Sequence, residues 1–123
     1  MAAHALWTDL YQLTMAAGYF HRGLADTVAT CAMFVRGLPR QRRYLLAAGI
    51  DTIVERIASL RFTNEQIEAL AGLPALADAM TDDFRRYLAD FRFRGELHAV
   101  REGRVLYAGA PVIRGVAPII EAQ

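Results

Sequence analysis

Thr8-Asp9-Leu10-Tyr11-Gln12-Leu13-Thr14-Met15-Ala16-Ala17-Gly18-Tyr19-Phe20-His21-Arg22-Gly23, followed by Thr27-Val28-Ala29-Thr30-Cys31-Ala32-Met33-Phe34-Val35, is the stretch on which the fold class turns. In its first part Leu10, Leu13, Ala16, Ala17 and Phe20 recur at three- and four-residue steps, which lines them along one helical face and predicts a helix from Asp9 to Arg22. Thr8 or Asp9 is expected to cap its start by accepting a bond from a free amide, and Gly23 stands where a left-handed C-terminal residue is wanted. The second part is rich in β-branched, Cys and aromatic residues, so a strand is expected. Both of its faces are apolar, which predicts a strand buried on two sides or central in a sheet.

Working outward, Gly37-Leu38-Pro39 ends that strand, and Arg40-Gln41-Arg42-Arg43 makes a polar loop before a second short strand at Tyr44 to Ala48. A hairpin-like pairing of these two strands is expected. Ile50, Ile53, Val54, Ile57 and Leu60 mark an amphipathic helix, Thr63 with Gln66 has capping-box spacing for the next one, and Gly72 with Pro74 ends it. Thr81 to Asp90 reads as a further helix, with Asp82 and Asp83 in the first turn where the helix dipole favours negative charge. The period then shortens, and Glu96–Val100, Val105–Tyr107 and Val112–Arg114 are expected strands, separated by the turn residues Glu102-Gly103 and Gly109-Ala110-Pro111. Pro118 suits the first turn of a helix that Ile119-Ile120-Glu121-Ala122-Gln123 begins and does not complete, the pattern expected of an interrupted chain. The fold class is therefore α+β, helices packed on a small, mostly antiparallel sheet, with residues 1–117 as the domain and 118–123 as the opening of a truncated helix.

The chain has 123 residues, 54% of them hydrophobic and 22% charged, a balance that favours a packed core over disorder. A formal net charge of +1 supplies no field to draw nucleic acid or a membrane surface. All fourteen basic residues are Arg. Neither a signal sequence nor an apolar run long enough for a membrane span is read, and a single Cys31 excludes an internal disulfide, which together fit a reducing, cytoplasmic setting.

No self-sufficient active site is legible. Glycines between Gly103 and Gly115 lack the strand-turn-helix context of a phosphate loop, and no metal-ligand spacing is present. His4, His21 and His98 are isolated and read as structural, and Cys31 as a buried, inert thiol. Asp9 and Tyr11 stand out instead, because neither is needed to pack the first helix.

The eight residues Thr8-Asp9-Leu10-Tyr11-Gln12-Leu13-Thr14-Met15 resemble the opening motif of nicotinate phosphoribosyltransferases at every position. The resemblance continues in order through Phe34-Val35-Arg36, Leu38-Pro39, Ala47-Ala48-Gly49-Ile50, Phe62-Thr63-Asn64-Glu65-Gln66-Ile67, Tyr87-Leu88, Phe91-Arg92-Phe93-Arg94-Gly95, Glu102-Gly103 and Pro118-Ile119-Ile120-Glu121-Ala122-Gln123. It departs at Arg101, where family members often carry Pro, and at Arg40-Gln41-Arg42-Arg43, where they often carry a Gly-rich or Lys-containing loop.

The resemblance implies the N-terminal domain of the nicotinate and quinolinate phosphoribosyltransferase type, with the α/β barrel that holds most of the active site missing from this segment. It implies an enzyme of NAD biosynthesis that joins nicotinate to phosphoribosyl pyrophosphate, works as a homodimer, and uses Mg²⁺ and ATP through a phosphorylated histidine of the barrel. No catalytic residue and no metal ligand is expected within this chain. The substrate-site residues carried over are Tyr11, whose ring would stack on the pyridine of a partner subunit's nicotinate, Asp9 at the same border, and Arg36 toward phosphate. A nicotinamide- or quinolinate-specific relative and a non-catalytic binding or dimerisation module are the alternatives.

Overall fold

The computed structural model describes residues 5–123, so the reading of His4 lies outside the described residues. Helix α1 (Leu10–His21) follows the apolar periodicity, burying Ala16 and Ala17. Its end is a Schellman motif: Gly23 takes a φ of +70°, its N–H donates to the Phe20 carbonyl at 3.0 Å, and that of Leu24 reaches back to Tyr19 at 2.9 Å. Its start differs from expectation. Asp9 occupies the N-cap position with extended backbone, but its carboxylate caps no amide, and the Thr8 hydroxyl bonds the side-chain oxygen of Gln12 instead.

Strand β1 (Val28–Phe34) is followed by the two-residue β2 (Leu45–Leu46), α2 (Ile50–Ala58), α3 (Asn64–Ala71) and α4 (Asp82–Ala89). After these come β3 (Glu96–Ala99), β4 (Val105–Leu106), β5 (Pro111–Pro118) and the short α5 (Ile119–Ala122). The capping box on α3 forms as its spacing predicts, with Thr63 and Gln66 satisfying each other's backbone amides at 3.2 and 3.1 Å.

The strands sort into two small antiparallel sheets, β1-β5-β3 and β2-β4. This corrects two expectations. The hairpin between β1 and β2 does not form, because the segment between them carries the chain into the other sheet, where Leu45 and Leu46 oppose Leu106 and Val105. Nor is β1 central or buried on both faces: it is a sheet edge, with Val28 69% and Phe34 49% exposed, and Cys31 is half-buried instead of enclosed. An apolar strand sequence does not say which neighbours it will have, and the central place goes to β5. That strand runs four residues past the expected Arg114, since Gly115 to Pro118 pair with β1 and Gly115 and Val116 with β3. Its two prolines sit at its ends, where a missing N–H interrupts no ladder.

Two apolar clusters hold the elements together. The larger joins α1, α3 and α4 through Ala17, Ile67, Leu70, Phe84 and Leu88, with Leu76, Met80, Phe91 and Ile120 from the connections and α5. Phe20 packs on it through ring contacts to Phe84 and Tyr87 at 5.1 and 5.2 Å between centroids. His21 Nε2 lies 2.7 Å from the Ala79 carbonyl, an acceptor only, so that nitrogen carries the proton and the residue is structural as expected. The smaller cluster, Ala47, Ile50, Leu106, Val112 and Ile113, seats α2 between the sheets.

A carboxylate pins α2 in place. Glu102 accepts from the amides of Gly49 at 2.7 Å and Ile50 at 2.8 Å, one oxygen to each, at the helix N-terminus where unpaired N–H groups and the dipole favour an anion. The adjoining turn is stitched to the same segment, Gly103 N–H to Ala47 carbonyl at 2.7 Å and Ala47 N–H to Arg104 carbonyl at 2.8 Å.

Glu102→Ala leaves two helix-start amides without their acceptor and should lower unfolding free energy by about 1–2 kcal/mol, read from urea denaturation followed by circular dichroism. A Cβ on Gly95 would stand 2.3 Å from Ala117 Cβ and 2.4 Å from the Val116 carbonyl oxygen, whereas one on Gly115 meets Leu97 Cδ2 at an ordinary 3.5 Å. Gly95→Ala should therefore cost about 3 kcal/mol by the same measurement and Gly115→Ala less than about 1 kcal/mol.

Candidate functional site

The site begins at the entry to α1. Leu13, Ala16 and Ala17 turn inward, so a helical repeat places Tyr11 and Met15 outward, 59% and 42% exposed. Asp9, one residue ahead of the helix, is exposed as well, and its carboxylate is committed to no cap. An exposed aromatic ring and an exposed carboxylate thus lie two residues apart at the helix entry, and neither is buried in the core. Thr14 bonds back to the Tyr11 carbonyl at 2.9 Å, a helix-internal contact.

Arg36 is exposed two residues beyond β1, beside the point where the Val35 carbonyl accepts the Gly109 N–H at 2.8 Å. Among the described residues no hydrogen bond or ion pair joins Arg36 to Asp9 or Tyr11. The loop with Arg40, Arg42 and Arg43 is exposed, and residues Gln41 to Leu46 line an open concavity there. Among the described residues no group of three or more His, Cys, Asp or Glu stands together that could hold a metal ion, and no helix is long and apolar enough to cross a membrane.

Behind the exposed turn lies a polar cluster that sequence reasoning missed. The Glu121 side chain, 1% exposed, accepts from the Arg94 backbone N–H at 2.6 Å and from its Nε at 2.7 Å, and Asp26 stands 3.6 Å from the same guanidinium. The hydrogen bond from Glu121, and then its charge, hold the Arg94 guanidinium protonated even more firmly than usual. Burial first, and then the Glu121 carboxylate, push the neighbouring Tyr87 phenol above its ordinary range. One residue pair further, Gln123 Nε2 donates to the Gln12 carbonyl at 2.7 Å, beside Tyr11. These partners lie 27 and 111 residues apart, beyond the reach of any local spacing rule.

The nicotinate phosphoribosyltransferase (NAPRTase) N-terminal domain model matches residues 6–123. Nicotinate phosphoribosyltransferase pncB2 of Mycobacterium tuberculosis (strain ATCC 25618 / H37Rv) is 40% identical over 119 residues, covering 97% of this chain and 25% of that protein. The nicotinate phosphoribosyltransferase of Bacillus subtilis (strain 168) is 33% identical over 121 residues, 97% of this chain and 24% of its own length. In structure, the chain superposes on the crystal structure of human nicotinic acid phosphoribosyltransferase with a TM-score of 0.79 at 31% identity, over 94% of this chain and 23% of that one. The chain spans about a quarter of the length of the curated relatives it matches. With a complete opening motif, an α+β architecture shared with the human enzyme and a match from residue 6 to residue 123, this chain belongs to the nicotinate phosphoribosyltransferase family, as its N-terminal domain.

Proposed function

We propose that this chain is the N-terminal part of a nicotinate phosphoribosyltransferase of NAD biosynthesis, supplying substrate-site and dimer-interface residues to a barrel that lies outside residues 1–123. The observation that carries the reading is the exposed Tyr11 ring, two residues from an Asp9 carboxylate that caps no amide, on the motif that matches the family at every position. On this reading residues 118–123 lead from the domain toward the barrel, and the enzyme is a cytoplasmic homodimer in which the motif of one subunit faces the barrel mouth of the other.

The chemistry is the displacement of pyrophosphate from the ribose carbon of phosphoribosyl pyrophosphate by the nicotinate nitrogen. Positive charge builds on the ribose while the leaving group carries several negative charges, so catalysis is mainly positioning and electrostatic stabilisation. Tyr11 contributes the first: a flat phenol ring offset over the pyridine holds its plane, a contact of about 1 kcal/mol. Asp9, acceptor-only when ionised, orients donor groups at the same border, and Arg36 presents a fork of N–H groups suited to phosphate oxygens. Mg²⁺ and ATP, which would neutralise the leaving group and drive the reaction forward, belong on this reading to the full-length enzyme.

Purified alone, the 123-residue chain should release no pyrophosphate from phosphoribosyl pyrophosphate and nicotinate, and measurable turnover would contradict the assignment of the chemistry to the barrel. In the full-length enzyme Tyr11→Ala should raise the nicotinate KM roughly tenfold with little change in thermal midpoint, and Tyr11→Phe should stay near wild type because the ring is kept. An unchanged KM in Tyr11→Ala returns Tyr11 to the role of an ordinary surface residue.

A further inference from the structure

The first turn of α1 packs inward through Leu13, but an open cleft of about 240 Å³ lies beside it, with Thr8, Gln12 and Leu13 on the helix side and Leu60, Phe62 and Phe91 on the core side. Where part of a helix end faces a cleft, dispersion contacts hold its position less tightly than a close-packed core does, and hydrogen bonds to other elements add restraint. The bonds of Thr8 to Gln12, of Gln12 N–H to the Asp9 carbonyl and of Thr14 to the Tyr11 carbonyl all lie within the turn and move with it. Among the described residues, the bond from Gln123 Nε2 to the Gln12 carbonyl, 2.7 Å long, is the one hydrogen bond made by residues 8–14 that reaches another element.

That bond comes from a fixed base. Four residues are too few for a helix to persist alone, and α5 is held by tertiary contacts. Ile120 is buried in the larger cluster, the Ile119 N–H donates to the Thr27 carbonyl at 2.8 Å, and the enclosed Glu121 side chain clasps Arg94 through both oxygens. Gln123 follows directly, so its side chain reaches α1 from a point tied to the residue before β1, to the segment leading into β3 and to the helical core.

We propose that Gln123 is a positioning residue for Tyr11: the N–H it donates to the Gln12 carbonyl sets where the first turn of α1 holds the Tyr11 ring against the substrate. This rests on the reading that Tyr11 stacks on nicotinate. Its chemistry is specific, because the Gln12 carbonyl can only accept, so any side chain of similar length that donates will serve and an isosteric acceptor will not.

The test uses the full-length enzyme and three variants, Gln123→Glu, Gln123→Lys and Tyr11→Ala. Gln123→Glu replaces the donor with an acceptor of the same shape and should raise the nicotinate KM about fivefold, less than Tyr11→Ala, with kcat within about twofold, since it misplaces the ring without removing it. Gln123→Lys keeps a donor and should return KM to within about twofold of wild type. Hydrogen exchange of the amides of residues 11–14 should be faster in Gln123→Glu and near wild type in Gln123→Lys, whatever substrate the enzyme takes. If Tyr11→Ala raises KM while Gln123→Glu does not, or if Glu and Lys at position 123 act alike, the positioning role is overturned and the stacking reading stands. If Tyr11→Ala leaves KM unchanged, the stacking reading fails, and the substrate side of this inference falls with it.

Discussion

Strand β5 is the constraint on which the other elements depend. Pairing on both sides, with β1 from Pro111 to Pro118 except at Val112 and with β3 over four residues, it sets the register of the three-stranded sheet. That register brings Gly95 so close to Ala117 that no side chain fits, buries Ile113, Gly115 and Ala117 on one face, and delivers the chain at Pro118 straight into α5. The place of α5 decides in turn what meets the start of α1. A slip of one residue in β5 would turn its buried set outward and move the clasp on the first helix together with it.

Polar contacts do the joining where apolar packing is thin. The helical core joins α1, α3 and α4, but α2 buries only Ile50, and Ile53, Ile57 and Leu60 face a cavity of about 480 Å³ shared with Cys31, Met33 and Phe93. Glu102 at the start of α2 and Glu121 beneath Arg94 act at these two weak places, each as a carboxylate with two donors. The second also has a pH consequence. Tyr87 has its folded phenol raised by burial and by Glu121, so its contribution to stability is present below the unfolded phenol value and is lost as pH rises through the folded one.

Much of the helical half is legible from residue spacing. The stripe of Leu13, Ala16 and Ala17, the Gly23 stop and the Thr63–Gln66 box are all local, and local rules read them correctly. The β half is less so. The apolar run of β1 is equally consistent with a centre and an edge, and the hairpin expected between β1 and β2 failed because pairing depends on residues sixty or more positions away, Leu106 for Leu45 and Pro118 for Val28. Cys31, read as enclosed, is half-buried for the same reason.

The sequence by itself determined the helices, the α+β class and the motif from Thr8 to Met15, because each rests on residues within one or two turns of each other. It also singled out Tyr11 and Asp9, since a side chain that packing does not require can be recognised from the helical period alone. Only the tertiary structure decided which strand is central, that Asp9 caps nothing through its carboxylate, and that Glu102, Glu121 and Gln123 reach across to partners 52, 27 and 111 residues away. Such contacts are set by where the chain returns in space, and that is fixed by burial and strand pairing summed over the whole domain.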